Sequence, residues 1–141
     1  MGKMTKEVMD TFNDEKALKV MATVNKEGVL NNVPIMSVIA VDNETLAFAE
    51  LFLNKTKENL LLTKKCCVVA FIVPQTAGVP PKGFQVKGTF EGFQTSGPIY
   101  DMLREVIEKQ TGRGIKSVGI IKPDEGYMVH PGYGAYQVFG S

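Results

Sequence analysis

The residues with the clearest chemical potential are Asn54, Lys55 and Thr56, which stand where a loop passes into a helix-forming run. The loop is Glu50–Asn54, and the predicted helix is Lys55–Lys64. Asn54 is expected to cap this helix with its side chain, because asparagine accepts hydrogen bonds from the free amides of a first turn. Those amides, the positive end of the helix dipole, the Lys55 ammonium and the Thr56 hydroxyl would then converge. This combination predicts an anion-binding site.

Two apolar runs that are rich in β-branched residues precede the loop and are expected to position it. Val33–Val41 and Thr45–Phe48 flank the turn Asp42–Glu44, which predicts a β-hairpin that leads into the loop. Pro34 has no amide to donate, so it is expected at a sheet edge or a bulge. A bulge beside a site is a common way to aim backbone groups at a ligand.

The remaining chain alternates strand and helix patterns. An apolar face beginning after Thr5 predicts a short first helix. In Leu18–Val24 apolar and polar residues alternate, which predicts a strand that buries its apolar face, Leu18, Val20, Ala22 and Val24. Further strands are predicted at Cys66–Val73, Gly83–Phe93, Ser117–Ile121, Tyr127–His130 and near Tyr136–Val138, with a bulge at Gly92–Phe93 and a turn at Lys122–Gly126.

A third helix is predicted from Pro98 up to the stop signal Thr111–Gly114, with Ser96 or Gly97 as its cap. Its core-facing stripe would be Ile99, Met102, Leu103, Val106 and Ile107. Many short strands with few helices favour a mainly β domain of the α+β class, a closed or partly closed barrel. The 141 residues, 44% apolar and 22% charged, are enough for one domain, 1–141, with a real core.

Charge and composition argue against several functions and locations. The formal net charge of +1 provides no basic field for nucleic acid or for an anionic membrane. No apolar run approaches the length of a membrane span, and the first residues lack the apolar segment of a signal peptide. Cys66 and Cys67 are adjacent in a predicted strand, so their side chains point to opposite faces and are poorly placed to bridge each other. A reduced, cytoplasmic protein is expected.

Catalytic side-chain sets are also limited by composition. His130 is the single histidine and stands in a predicted turn, which argues against a Ser/His/Asp or Cys/His set and excludes a histidine-rich metal site. We therefore expect no metal, and the residues name no catalytic acid or base. Any redox chemistry would have to come from a bound cofactor.

Three segments carry a resemblance to a known family. They are Asn32–Ser37, Asn54–Leu60, and Lys82–Phe90 continued by Gln94–Tyr100. In order and spacing they resemble the FMN-binding split-barrel family, which includes pyridoxamine 5′-phosphate oxidase and small bacterial FMN-binding proteins. The resemblance spans roughly Ala17 to Leu103 and implies a split β-barrel with six to seven antiparallel strands and FMN as the cofactor.

The resemblance also implies roles for individual residues. Lys55 and Thr56 would bind the FMN phosphate, with Asn54 and Asn59 nearby. The segment Val33–Ser37 would lie along the isoalloxazine ring and offer backbone groups to its pyrimidine edge. The implied cofactor-binding residues are Val33, Pro34, Ile35, Met36, Ser37, Glu50, Leu51, Phe52, Asn54, Lys55, Thr56 and Asn59.

The family resemblance implies a homodimer with the flavin at the subunit interface. Phe84, Tyr127 and Tyr133 are candidates for contacts from the partner chain. The resemblance does not extend to the oxidase's substrate site, because Val33 and Ile35 stand where an arginine is expected and the chain has no tryptophan. Oxidation of pyridoxamine phosphate is therefore not expected.

Three functions remain open from the sequence. The first is an FMN-dependent oxidoreductase with a nicotinamide or redox-protein donor and an unknown acceptor. The second is a flavin-binding electron carrier or sensor without turnover. The third is a small β-barrel that binds a different ligand. The modest net charge and the lack of a basic-aromatic pattern count against nucleic acid.

Overall fold

The computed structural model describes residues 2–129 and 137–140, which form one antiparallel sheet of eight strands with three helices. The strand order is β2–β1–β5–β6–β7–β4–β3, and β8 pairs with β7. The mainly β class is confirmed, with eight strands in place of six to seven. The elements are α1 (Lys6–Phe12), β1 (Leu18–Val24), β2 (Leu30–Pro34), β3 (Ile39–Asp42), β4 (Thr45–Glu50), α2 (Lys55–Thr63), β5 (Lys65–Ile72), β6 (Lys82–Gln94), α3 (Pro98–Thr111), β7 (Ser117–Met128) and β8 (Gln137–Phe139).

Two apolar clusters hold the sheet and the helices together. The larger one fills the interior of the curved sheet and includes Phe48 and Phe90, with Leu60 of α2 packed against it. The smaller one lies where Leu103 and Ile107 of α3 are packed with residues of β4 and β7. Each buried aromatic or branched aliphatic side chain contributes roughly 1.5–3 kcal/mol, so both clusters fix the helices that border the site described below.

The first strand buries the opposite face from the one predicted. Lys19, Met21 and Thr23 are buried, whereas Leu18 and the other apolar residues of the predicted inner face are partly exposed. The inversion is tolerated because the polar side chains find partners inside. Lys19 Nζ donates to the carbonyls of Phe12 and Val38, and Thr23 Oγ1 accepts from Asn59 Nδ2 at 3.0 Å.

On the outward-facing side of the sheet, the apolar residues of β1 are paired with apolar residues of the neighbouring strand β5. In the register, Leu18 pairs with Phe71, Val20 with Val69 and Ala22 with Cys67. All six side chains are partly or largely exposed to solvent. We call this patch, Leu18, Val20, Ala22, Cys67, Val69 and Phe71, the outer face. These side chains form contiguous apolar pairs on the surface of the sheet.

The predicted hairpin is confirmed as β3 and β4, which pair across the turn at Asp42–Glu44, but its first strand is shorter than predicted. The run Val33–Val41 is not one strand, since β2 ends at Pro34 and β3 begins at Ile39. Pro34 ends an edge strand, as its missing amide predicts, and the chain then turns through Met36 and Ser37. After this break the end of β2 and the loop that precedes α2 line the same cavity.

The predicted turn at Lys122–Gly126 is wrong, because β7 runs without interruption from Ser117 to Met128. The proline is accommodated at an irregularity where Lys87 and Gly88 of β6 pair with Glu125 and Pro123. The bulge predicted at Gly92–Phe93 is confirmed within two residues, since the register shifts between Phe90 and Gly92.

The predicted helix starts are confirmed. Thr5 caps α1 by accepting from the amide of Val8, and Gly97 precedes Pro98 at the start of α3. In the predicted stripe of α3, Leu103 and Ile107 are buried, but Met102 and Val106 are exposed.

Among the described residues no helix has the length and apolar character needed to cross a membrane. His130, Tyr133 and Tyr136 lie outside the described residues.

Candidate functional site

A cavity of about 540 Å³ opens between the end of β2, the loop before α2 and the last turns of α3; we call it the β2–α2 cavity. This volume lies within the range of roughly 300–1,000 Å³ that is common for small-molecule and cofactor sites. Ten of the residues that the family resemblance implies line it: Val33, Pro34, Ile35, Met36, Ser37, Leu51, Phe52, Asn54, Lys55 and Thr56.

The polar end of the cavity is the first turn of α2. Asn54 occupies the N-cap position, but its side chain makes no capping hydrogen bond, so the predicted cap is wrong. Its backbone carbonyl accepts from the amide of Glu58 at 3.1 Å. Without a side-chain cap, the amides of the first turn are available to a ligand at the positive end of the helix.

Thr56 is almost fully buried at this end, and its hydroxyl oxygen accepts a hydrogen bond of 3.0 Å from Asn31 Nδ2. The hydroxyl proton of a threonine in this arrangement remains free to donate to an anion. Asn31 lies on β2, so this bond connects the two elements that enclose the cavity.

Lys55 provides an exposed positive charge at the same place. Its Nζ lies 3.2 Å from Glu58 Oε2, and both side chains are more than half exposed. Exposed pairs of this kind contribute only a few tenths of a kcal/mol to about 1 kcal/mol. A phosphate at the helix N-terminus could therefore take the ammonium from Glu58 at little cost.

The other end of the cavity is apolar and open. Met36 is about half exposed and Phe52 is 76% exposed, so both side chains border the mouth. The guanidinium of Arg113 lies 5.6 Å from the centre of the Phe52 ring. Ser37 Oγ accepts from the amide of Ala49 at 2.9 Å, which fixes the turn after β2 against β4.

Glu50, which the resemblance implied as part of the cavity wall, lies outside the cavity. It is buried, and its carboxylate accepts from Ser117 Oγ and from Lys57 Nζ, each at 2.7 Å. Burial acts to raise the pKa of Glu50, but the hydrogen bonds from Lys57 and Ser117 outweigh it, so the pKa lies below its ordinary value. Glu50 therefore stays ionised and anchors α2.

Asn59 also lies outside the cavity. It is buried between α2 and β1, where its Nδ2 donates to Thr23 Oγ1, and its Oδ1 has no partner among the described residues.

Of the implied partner-chain contacts, Phe84 is buried in the core, whereas Tyr127 is partly exposed with Lys87 Nζ 5.1 Å from its ring. Cys66 offers no nucleophile, because burial raises the pKa of its thiol to about 12.

Sequence reasoning missed the residues that α3 contributes. Ile107, Gln110 and Thr111 line the cavity, and no local signal indicates it, because only the packing of α3 against the sheet brings them there. Asn31 was also missed, although it could have been found. It stands two residues before Val33, and alternate residues of a strand share a face.

Comparisons with known proteins identify the fold. HupZ of Group A Streptococcus has a TM-score of 0.74 and 26% identity, over 92% of this chain and 96% of HupZ. An FMN-binding protein of Syntrophomonas wolfei has a TM-score of 0.79 and 17% identity, over 88% of this chain and 84% of that one. A protein of the pyridoxine-phosphate oxidase family from Clostridium acetobutylicum has a TM-score of 0.65 and 14% identity, over 94% of this chain and 91% of that one.

Other structures of the same fold include a heme-binding protein of Mycobacterium smegmatis, which is 11% identical. No family model matches the sequence, and no curated protein matches it. The neighbours thus include FMN-binding, pyridoxine-phosphate oxidase-type and heme-binding proteins, and the split-barrel fold predicted from the sequence is confirmed.

Proposed function

We propose that this chain, which has the fold of FMN-binding split-barrel proteins, binds FMN in the β2–α2 cavity. The observation that carries the proposal is the meeting of two unlike surfaces in one cavity. The uncapped first turn of α2 with Lys55 and Thr56 lies at one end, and the apolar segment Val33–Met36 lies at the other.

The donors at the polar end fit a phosphate. Backbone amides at a helix N-terminus, a hydroxyl and a lysine ammonium are a common set for binding phosphate groups. Lys55 supplies the charge, and Thr56 supplies a hydroxyl that Asn31 holds in place. The flavin ring would then extend toward Met36 and Phe52, where backbone groups of the segment 33–37 are available for its polar edge.

We further propose that the protein is a flavin-dependent oxidoreductase. The flavin supplies hydride or electron transfer, so the protein has to bind and orient it and to limit access of water. This explains how the domain can act without a catalytic histidine. The donor would be a nicotinamide or a redox protein, and the second candidate function is a flavin-binding carrier or sensor without turnover.

The mouth of the cavity favours a homodimer. Phe52 and Met36 are exposed in the single chain, although a flavin ring is bound most tightly when apolar groups exclude water from it. The outer face supplies the apolar surface through which two copies could associate. In the dimer that we propose, the second copy would shield the open side of the flavin.

The first test is the visible absorption spectrum of the purified full-length protein, before and after addition of FMN. We expect oxidised-flavin bands that co-elute with the protein. A colourless protein that does not bind added FMN would contradict the proposal, and a deazaflavin and heme would then be titrated in its place. Heme is included because a heme-binding protein shares the fold.

The phosphate assignment is tested by Lys55→Ala. We expect this change to weaken FMN binding on the order of tenfold to a hundredfold, the scale for losing a hydrogen bond to a charged group. Lys65→Ala is the matched control, because Lys65 is an exposed lysine on β5 and does not line the cavity. Equal FMN affinity in a folded Lys55→Ala protein would contradict the assignment.

Turnover is tested by anaerobic stopped flow of the FMN-loaded protein with NADH and with NADPH. Rapid bleaching of the flavin bands by either nucleotide is the result expected of the oxidoreductase. If neither nucleotide bleaches the flavin while dithionite does, a direct nicotinamide donor is excluded and the carrier or sensor function is favoured.

A further inference from the structure

A second cavity of about 540 Å³ adjoins the β2–α2 cavity; it lies between α1, α3 and the start of β1, and we call it the α1–α3 cavity. Met36, Ser37, Ile107 and Gln110 line both cavities. The two spaces are therefore neighbours separated by the turn after β2, with the last turns of α3 as a common wall. A ligand in the α1–α3 cavity would lie next to whatever occupies the β2–α2 cavity.

The most deeply buried polar side chain of this cavity is Lys19, which is only 6% exposed; Ser37 and Gln110 also line it. Its Nζ donates to the carbonyl of Phe12 at 3.0 Å and to the carbonyl of Val38 at 2.6 Å. A lysine ammonium has three N–H donors, so these two carbonyls leave one that can donate to a further acceptor. Burial of a lysine beside neutral carbonyls is costly, which suggests that it is retained for more than packing.

The other side chains around the cavity limit the kind of ligand. Leu103, Val106 and Ile107 of α3 form an apolar wall. Asp14 and Glu15 are exposed and line the cavity, so their charges lie near its mouth and would repel an anion. Asn13 is already paired with the backbone, because its side chain both donates to and accepts from Ala40.

We propose that the α1–α3 cavity is the substrate site and that it takes a neutral, largely apolar carbonyl compound. The carbonyl oxygen accepts a hydrogen bond from Lys19 Nζ, and the apolar body lies against α3. This proposal rests on the proposed FMN site, because the compound can be a redox substrate only if a flavin lies next to it. The shared wall at Met36 and Ser37 would place the two side by side. Binding of the compound itself does not require the flavin.

The carbonyl interaction is tested with a matched pair of probes, acetophenone and α-methylstyrene. These molecules have nearly the same shape, but only acetophenone has an acceptor oxygen. In ligand-observed NMR titrations of the full-length protein, acetophenone is expected to bind more tightly on the order of tenfold, the scale for one hydrogen bond to a charged donor. Lys19→Met is expected to abolish the difference. Equal affinities for the two probes in the unmodified protein would overturn the proposal.

The location is tested with a pair of variants that does not depend on Lys19→Met being folded. Val106 and Met102 are both exposed on α3, but only Val106 lines the cavity. Val106→Trp is expected to fill the space and abolish acetophenone binding, whereas Met102→Trp preserves it. The chain has no natural tryptophan, so each variant also carries a single fluorophore that reports folding. Unchanged acetophenone affinity in Val106→Trp would overturn the assignment.

Titration with saturating FMN separates this proposal from the proposed function. Displacement of acetophenone by FMN would overturn the separate site, since both ligands would then occupy the β2–α2 cavity. Simultaneous binding supports two adjacent sites. If the protein binds acetophenone with the predicted preference but does not bind FMN, the carbonyl site stands and the proposed flavin function fails.

Discussion

At the scale of single residues, Lys55 and Lys57 show how two lysines on one helix acquire different roles. Lys57 Nζ lies 2.7 Å from the buried carboxylate of Glu50 and 5.3 Å from the centre of the Phe93 ring. It is therefore held against the body of the protein. Lys55 is exposed and lines the β2–α2 cavity. The pair between Lys57 and the buried Glu50 holds α2, and this positions the first-turn amides and the backbone of Lys55 at the cavity.

The ion pair gives α2 a predictable response to acid. Because the pKa of Glu50 lies below its ordinary value, the folded state favours the carboxylate, so its stabilisation is complete at neutral pH and is lost as the pH falls from the ordinary glutamate pKa through the lower pKa of the folded state. Glu50→Gln is expected to lower the free energy of unfolding at pH 7 by about 1–3 kcal/mol, since Lys57 and Ser117 lose a charged acceptor.

Urea unfolding measured between pH 3 and pH 7 checks this expectation. The loss of stability toward low pH should be shallower in Glu50→Gln than in the unmodified protein. Glu105→Gln is the control, because Glu105 forms an exposed pair with Lys109 on α3 and its replacement should change stability by less than about 0.5 kcal/mol. Parallel pH curves for Glu50→Gln and the unmodified protein would contradict the role given to Glu50.

At the scale of elements, α2 and α3 end in the same backbone conformation but with a different residue at the C-cap. Each helix closes on a left-handed residue whose amide returns to a carbonyl four residues earlier, but α3 uses Gly112 at φ 72° and α2 uses Lys64 at φ 61°. A non-glycine residue in this region costs roughly 1–2 kcal/mol of backbone strain. We expect Lys64→Gly to stabilise the protein by about 0.5–1 kcal/mol and Gly112→Ala to destabilise it by about 1 kcal/mol.

Chemical denaturation of both variants measures these opposite changes. Lys65→Gly serves as the control, because Lys65 begins β5 and glycine in a strand is expected to be neutral or destabilising. A Lys64→Gly protein no more stable than Lys65→Gly would contradict the backbone strain assigned to Lys64.

The same elements show which features a sequence can predict. The start of α1 at Thr5 and of α3 after Gly97 depend on local hydrogen bonds and local backbone angles, and both were predicted. The buried face of β1 was predicted wrongly, because Lys19 and Thr23 are satisfied by partners that are distant in the chain. Of the residues that line the cavity, 54–56 were predicted from their chemistry at a helix start, and 33–37 were implied by the family resemblance. The wall from α3 was missed, since only tertiary packing places Gln110 there.

At the scale of the whole molecule, the inversion of β1 has a consequence for assembly. Turning Lys19, Met21 and Thr23 inward leaves their apolar neighbours on the surface, where they pair with apolar residues of β5. Leu18 is 43% exposed at one end of this outer face. The interior gains a lysine next to a cavity, and the exterior gains an apolar patch. Both features follow from the same choice of strand face, and the patch is what a second copy would cover.

The dimer is tested at the centre of the outer face, where Val20 pairs with Val69. Val69→Lys should place a charge in the interface and convert a dimer into a monomer, since an unpaired buried charge is strongly unfavourable. Val79→Lys is the matched control, because Val79 is about half exposed in the loop between β5 and β6. Sedimentation equilibrium distinguishes the 15.4 kDa chain from a species of twice that mass.

FMN titration of the same two variants shows whether assembly and binding are coupled. If the second copy shields the open mouth at Phe52, Val69→Lys weakens FMN binding while Val79→Lys does not. A monomeric Val69→Lys protein with unchanged FMN affinity would mean that one chain completes the flavin site. An unmodified protein that sediments at the mass of one chain would contradict the dimer itself. The two readouts therefore test the interface and the shared site separately.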